Sequence, residues 1–427
     1  MRSWVRPRSL GSTLFIVSIA VAVAFAALFL RKTSSTSGCL GNGGLYSSGG
    51  RVESGDVSAE ASAIARNHKQ QRIFTVFSTE CSPFHDWQSQ TLLYSHDTRR
   101  VGGEVVRLMS CDDPTYVVPR HSHGGYRVVR TPNFNALYPD DDYTPRNKAS
   151  ALSYWLHGRG NDTDLPDDDD VVVLVDPDHV FLSHRMNIST VRSGAGVAGR
   201  YALGRAWVKK WGVPFCAGKC DELEDDYDPS YGVPQVLTAG DTRRHVDLWK
   251  VLTEEMRNRT ESKGWMTEMF SCILAARRLD IRFEVQDMMI SAATSITEPW
   301  EHIRWNRSPS GGGLLSRPGG GLAVPIVHYC QTYKISTFSW SKHSYRGLDI
   351  RACDRSNIFP PPTGNESSTM VALRNTPLTV PIGQELPTNR PRAKEAVQVS
   401  RNVWLPDNTW GIARQAIDAY YEEFCSV

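Results

Sequence analysis

The sequence predicts an α/β fold, a mainly parallel sheet flanked by helices, standing behind an N-terminal region of different texture. Three observations predict it. Short β-branched runs alternate with helical patterns; one run, "VVVLV" (Val171 to Val175), is apolar at every position; and no internal repeat competes. Strands that alternate with helices feed a parallel layer. Five apolar residues bounded by turn residues suit a central strand covered on both faces.

Taken in order, residues 1–9 read as a cytosolic tail with Arg2, Arg6 and Arg8. No charge then occurs until Arg31, and the 21 residues from Leu10 to Leu30 would reach about 31 Å as a helix, enough to cross a bilayer. The alternative is a cleaved signal peptide, with "AFA" before Ala27 as a small-residue site, but the span is long for a signal core. A signal anchor with the remainder luminal is expected. Residues 31–72, rich in serine and glycine, read as a stem that buries too little apolar surface to order itself. A catalytic domain is expected over 73–355. Strands are predicted at "RIFTVFST", "GEVVRLMSC", "GYRVV" and "VVVLV", with helices at "PFHDWQSQTLLYSH" and "NKASALSYWLHG". "GWMTEMFSCILAARRL" (Gly264 to Leu279) places Trp265, Met269, Cys272, Ile273 and Ala276 on one face of a long, largely buried helix. Residues 356–427 form a proline-rich tail ending in a terminal helix, "WGIARQAIDAYYEEFC".

Composition narrows the function. A net charge of +2, with acids and bases mixed along the chain, carries no nucleic-acid footprint. Nine cysteines without a C-x-x-C pair argue against zinc ribbons and for disulfides, Cys216 and Cys220 being the nearest pair and Cys39 the candidate for an intermolecular bond. Sequons at Asn161, Asn187, Asn258, Asn306 and Asn365 agree with a luminal domain.

The chemistry is expected where the buried strand ends. "DPDH" follows Val175 directly, so Asp176 and Asp178 fall at the carboxyl edge of the sheet, where open α/β folds bind ligands. Carboxylates two apart on extended backbone can face one side and hold Mg²⁺ or Mn²⁺. A D-x-D is also a common capping turn, and the strand before it is what makes it a candidate. The denser run Asp167 to Asp170 enters the strand instead, and is expected to be a solvated loop at the opposite edge. His328, after the apolar run "AVPIV", is either a structural residue or a third ligand, and an imidazole ligand favours Mn²⁺ over Mg²⁺. Glu268 borders the buried helix face, where it is a paired structural acid or a group aimed at an acceptor hydroxyl. Lys148, in "PRNKASALSYWL", either reaches a phosphate or stays solvated at a helix start.

In their order, "PFHDWQ" (Pro83, Trp87, Gln88), "DPDHVF", "GVPQVL", Trp249, "GWMTEM", "EPW" and "HYC" resemble the hydroxyproline O-arabinosyltransferase family of green plants and algae, itself related to the peptidyl serine α-galactosyltransferases. The similarity covers roughly Ile73 to Arg351. It implies a GT-A-like fold and a single-pass, Golgi-resident enzyme that moves L-arabinofuranose from a UDP-sugar to hydroxyproline, with retention. Carried onto this sequence, it implies a metal held by Asp176, Asp178 and His328, donor binding by Trp87, Gln88 and Asp176, and catalytic parts for Glu268 and Trp265; Lys148 joins the expected donor-binding residues from its own position in the sequence. Asp176 stands where plant members commonly have Glu. After His328 and Tyr329 the chain reads "CQTYKISTFSWSKHSYRG", unlike the plant pattern, which leaves a serine-directed galactosyltransferase or a non-catalytic luminal binding protein as alternatives.

Overall fold

The computed structural model describes residues 71–359, with breaks at 123, 161, 185, 202, 204–205, 220–227, 260–262, 292–303, 307–313, 317–324, 331 and 336–337, and residues 409–425. The expected tail, the span 10–30, nearly all of the stem and most of the proline-rich segment lie outside them. Among the described residues no helix is long and apolar enough to cross a membrane. Of the sequons, Asn187 and Asn258 are exposed.

β1 (Ile73–Glu80), α1 (Pro83–Thr98), β2 (Glu104–Ser110), β3 (Tyr126–Thr131), α2 (Arg146–Leu156) and β4 (Val171–Val175) fall where the alternating patterns predict them. After β4 the chain forms β5 (His179–Phe181), β6 (Ala195–Arg200), β7 (Tyr231–Thr238), α3 (Ala239–Arg257), α4 (Thr267–Arg278), β8 (Arg282–Gln286) and β9 (Met289–Ser291). The main sheet runs β3-β2-β1-β4-β7-β6-β8. β1 pairs in parallel with β2 and β4, β2 with β3, and β6 with β8. β7 is the exception, antiparallel to both β4 and β6.

All five residues of β4 are buried, and their alternation decides what lies on each side. Val172 and Leu174 join Leu152 and Trp155 of α2 and Val246 and Trp249 of α3 in one core. Val171, Val173 and Val175 face the other way, against Leu92 and Leu93 of α1. Each fully buried Val or Leu contributes about 1.5–3 kcal/mol, which is why this strand sits at the centre.

A second, three-stranded sheet covers the carboxyl side of β4. Its middle strand is β10 (Ile326–His328), antiparallel to β5 and parallel to β9, with His328 opposite His179. β11 (Thr332–Ile335) and β12 (Phe338–Ser341) form a hairpin after it. The C-terminal helix α5, residues 409–424, packs Ile412, Ala413 and Ile417 with Val180, Val327 and Tyr329 in a third cluster. Disulfides join Cys81 to Cys111 and Cys353 to Cys425. Cys216 is also disulfide-bonded, whereas Cys272 and Cys330 are free.

The acidic run departs in part from a solvated loop. Asp168 is exposed, with an 81 % accessible side chain paired to Arg243. Asp170 is buried and accepts from the Arg72 N–H at 2.9 Å, from Arg72 Nε at 3.1 Å and from the Asp167 N–H at 2.8 Å. It ties the strand entry to the segment before β1. Four acids in sequence look alike, and only the strand register shows which one turns inward.

Candidate active site

A cavity of about 500 Å³ opens at the carboxyl ends of β1 and β4, and Lys148, Asp176, Asp178, Trp265, Glu268 and His328 all line it. Each arrives by a different route. Asp176 and Asp178 follow β4, and His328 ends β10, whose pairing with β5 brings it to Asp178 across 150 residues of sequence. Lys148 lies in the first turn of α2, and Glu268 in that of α4.

The geometry is that of two interlocked ion clusters. Lys148 Nζ stands 2.7 Å from Asp176 Oδ1 and 3.3 Å from Glu268 Oε1. Asp178 Oδ2 stands 3.0 Å from His328 Nε2 and 2.5 Å from Lys342 Nζ. Burial raises the Glu268 carboxyl, and Lys148 offsets only part of that. Burial alone would lower the Lys148 ammonium, but Asp176 and then Glu268 outweigh it and hold it above the usual lysine range. Asp178 behaves in the same way: burial opposes its charge, yet His328 and Lys342 hold it well below the usual carboxylate range. Burial would discharge His328, but the Asp178 carboxylate raises it to about 10. Burial and the neighbouring His328 push His179 down to about 3.

These residues fit a divalent cation. Ligand atoms of Asp176, His179 and His328 lie within 4.8 Å of one another, and the buried His179 Nε2 has no hydrogen-bond partner among the described residues. Oxygen and imidazole donors together suit Mn²⁺. The buried Asp178 and Glu268 and the half-buried Asp176 here face two lysines and one imidazolium. Exchanging the His328 proton for a divalent cation would raise the charge of the cavity by one unit, toward what a diphosphate requires.

Two sequence-derived candidates lie elsewhere. Trp87 and Gln88 do not line the cavity. Trp87 is fully buried in the third cluster against Tyr329 and Phe359, its indole donating to the Tyr345 carbonyl at 3.1 Å. Gln88 donates to the Phe84 carbonyl. Their segment reaches the cavity through Glu80 and His85 instead. Trp87→Ala is expected to cost about 3–5 kcal/mol of stability, read from a denaturation midpoint, as an indole-sized core deletion does. Trp265 corrects the helical reading as well: α4 begins two residues after it, and its side chain is 76 % exposed at the cavity mouth rather than buried.

Tyr143, Lys342 and Glu80 were not singled out by the sequence. An acid ending β1 obeys the same edge rule as Asp176 and could have been found. Lys342 and Tyr143 carry no such signal. The Tyr143 hydroxyl donates to the Trp265 carbonyl and accepts from the Glu268 N–H, each at 2.8 Å. α4 has no side-chain cap of its own, so Tyr143 supplies one and fixes where Glu268 points. Tyr143→Phe leaves that N–H unpaired and should lower stability by about 1–3 kcal/mol, checked by urea unfolding.

No protein-family model matches the chain. Among curated proteins, peptidyl serine alpha-galactosyltransferase of Arabidopsis thaliana is 23 % identical over 348 residues, covering 74 % of this chain and 37 % of that protein. The chain thus spans well under half the length of that relative. Among solved structures, the crystal structure of the galactosyltransferase LgtC with donor and acceptor sugar analogs covers 65 % of this chain and 95 % of that one, at 11 % identity and a TM-score of 0.40. An active-site mutant of LgtC covers 64 % and 94 %, with a TM-score of 0.38.

Proposed function

We propose that this chain is a GT-A-like glycosyltransferase that moves a sugar from a UDP-sugar to a peptidyl hydroxyl, retaining the anomeric configuration. L-Arabinofuranose to hydroxyproline is the first expectation, and galactose to serine the alternative. One observation carries the reading: Asp176, Asp178 and His328 meet two lysines and Glu268 in a single cavity at the carboxyl edge of the sheet. The distant likeness to a peptidyl serine galactosyltransferase supports the same class.

Asp176, His179 and His328, the compact ligand group, would hold the divalent cation together with Asp178, which already meets His328; the cation would supply positive charge to the diphosphate as the glycosidic bond breaks. Lys342 and Lys148 are the ammonium groups nearest those carboxylates, placed to turn to phosphate oxygens once a cation takes over the acids. Glu268 orients the acceptor hydroxyl and takes its proton, a task suited to a carboxyl raised by burial. Its closeness to Lys148 suits that part better than covalent attack, so the acceptor oxygen would attack on the leaving group's own face. A binding protein without turnover would have no use for this set of buried, opposed charges.

Incubating the full chain with a panel of UDP-sugars and proline-, hydroxyproline- and serine-rich peptides tests the reading. Glycopeptide should form with Mn²⁺ and vanish with a chelator. Release of free sugar or phosphate without glycopeptide would favour hydrolysis. The proposed site of action is the Golgi lumen behind an anchor at 10–30; the expressed protein should lose mass to a glycosidase and stay in membranes through a carbonate wash.

A further inference from the structure

We propose that the β7 and α4 end of the cavity receives the transferred sugar, and that Gly232 leaves room there for a hydroxymethyl group outside the sugar ring. The inference deepens the transferase reading and rests on it. The sheet order β1-β4-β7 sets Asp176, which follows β4, between the end of β1 and the start of β7. A nucleotide sugar carries its nucleoside and its sugar on opposite sides of the diphosphate. Lys148 links Asp176, at 2.7 Å, to Glu268 of α4, at 3.3 Å, so the carbon that the acceptor attacks lies toward α4. The sugar ring then takes the β7 and α4 side, and the nucleoside is left the β1 side, lined by Ser78, Thr79 and Glu80.

Antiparallel pairing gives β7 its part. Gln235 is opposite Leu174, one residue before the end of β4, so the first residues of β7 reach the edge where Asp176 stands. A parallel strand would have offered its last residues instead. Beyond Glu268, the side chains of β7 and α4 that line the cavity are those of Val233, Gln235, Met269 and Cys272, all uncharged. Gln235 is braced there, its Nε2 donating to Cys272 Sγ at 3.1 Å. Such a wall suits a neutral sugar rather than a uronic acid, whose carboxylate would be buried without a partner and beside Glu268.

Gly232 decides what fits. A Cβ on it would stand 3.4 Å from Met269 Cε and 3.4 Å from Tyr201 Cβ and Cγ, ordinary contact distances, and both neighbours are cavity walls. The place of one methyl group is therefore open on the cavity side, and filling it displaces nothing. L-Arabinofuranose and galactopyranose differ in ring size, yet both bear a hydroxymethyl group outside the ring. L-Arabinopyranose matches galactopyranose at every ring hydroxyl and lacks that group. The room at Gly232 fits what the two expected donors share.

The test is titration calorimetry of the full chain with Mn²⁺ and four probes: UDP, UDP-galactose, UDP-L-arabinofuranose and UDP-L-arabinopyranose. Gly232→Ala should weaken the tighter of the two hydroxymethyl-bearing donors at least about tenfold, the scale of one misfit carbon in a shaped pocket. It should leave UDP, UDP-L-arabinopyranose and the melting temperature close to the wild type. Adding Met269→Ala to the same chain, which returns the room from the facing wall, should recover most of the loss. Equal weakening of all four probes, a loss that Met269→Ala does not relieve, or a Gly232→Ala chain that fails to fold would overturn the proposal. If the wild type binds UDP and Gly232→Ala weakens no probe, the sugar gate falls and the transferase reading stands; a wild type with no affinity for any of the four removes both.

Discussion

Asp178→Asn should abolish most turnover, by at least about 100-fold, because a transition-state contact through a bound cation is lost with the carboxylate charge. The structure gives the effect a second source. Asp178 holds both His328 and Lys342, so the neutral amide also releases the imidazole from the site and lowers its proton affinity. Mn²⁺ affinity, followed by titration calorimetry or by the electron paramagnetic resonance of the free ion, should fall in parallel. The matched control is Asp168→Asn, at the other end of the same strand, where an exposed carboxylate pairs only with Arg243 among the described ion pairs. It changes net charge identically and should leave turnover and Mn²⁺ affinity as they are. Equal loss in the two variants, or an Asp178→Asn enzyme as active as the wild type, would remove the cation site from the proposed mechanism.

Glu268→Gln should lose a comparable amount, roughly 100-fold or more, the usual range for a positioned general base, and stability should move the opposite way. Burial raises the Glu268 carboxyl above its unfolded value, so over the intervening pH the folded protein binds the extra proton. The contribution of this group to stability is therefore greatest below the ordinary glutamate range and declines as pH rises through the folded value. A neutral amide removes that decline. Lys148 keeps Asp176 as its partner, and the melting temperature at neutral pH should be unchanged or higher. In the wild type, turnover should fall as pH drops through the raised Glu268 value, and the rate profile of Glu268→Gln should lack that limb. A large drop in melting temperature would mean that Glu268 is a structural acid.

The sequence showed the parts of this molecule that depend on local periodicity. "VVVLV" announces a strand buried on both faces, and "DPDH" after it announces an edge site, because side-chain alternation and strand length are local properties. The antiparallel β7 was hidden, since "YGVPQVLT" is buried throughout and a fully buried strand reads alike in either direction. Trp265 was misplaced for a related reason: spacing of i, i+4 and i+7 fits a helical face whether or not the helix has begun. Trp87 and Gln88 stood near a strand end in sequence, but α1 puts Trp87 in the third cluster and Gln88 against the Phe84 carbonyl. Lys342 meets Asp178 across 164 residues, and no pattern along a chain encodes such a meeting.

The pairing of β5 with β10 has a consequence for how the protein is made. Asp178 leaves the ribosome long before its partner His328, and Lys342 and the helix over 409–424 follow later still. A nascent chain that ends before Ile326 carries β1 to β4 and Asp178, yet it has neither the imidazole nor the lysine that balances that carboxylate. The proposed activity would therefore wait for completion of synthesis, and a truncated product would lack it.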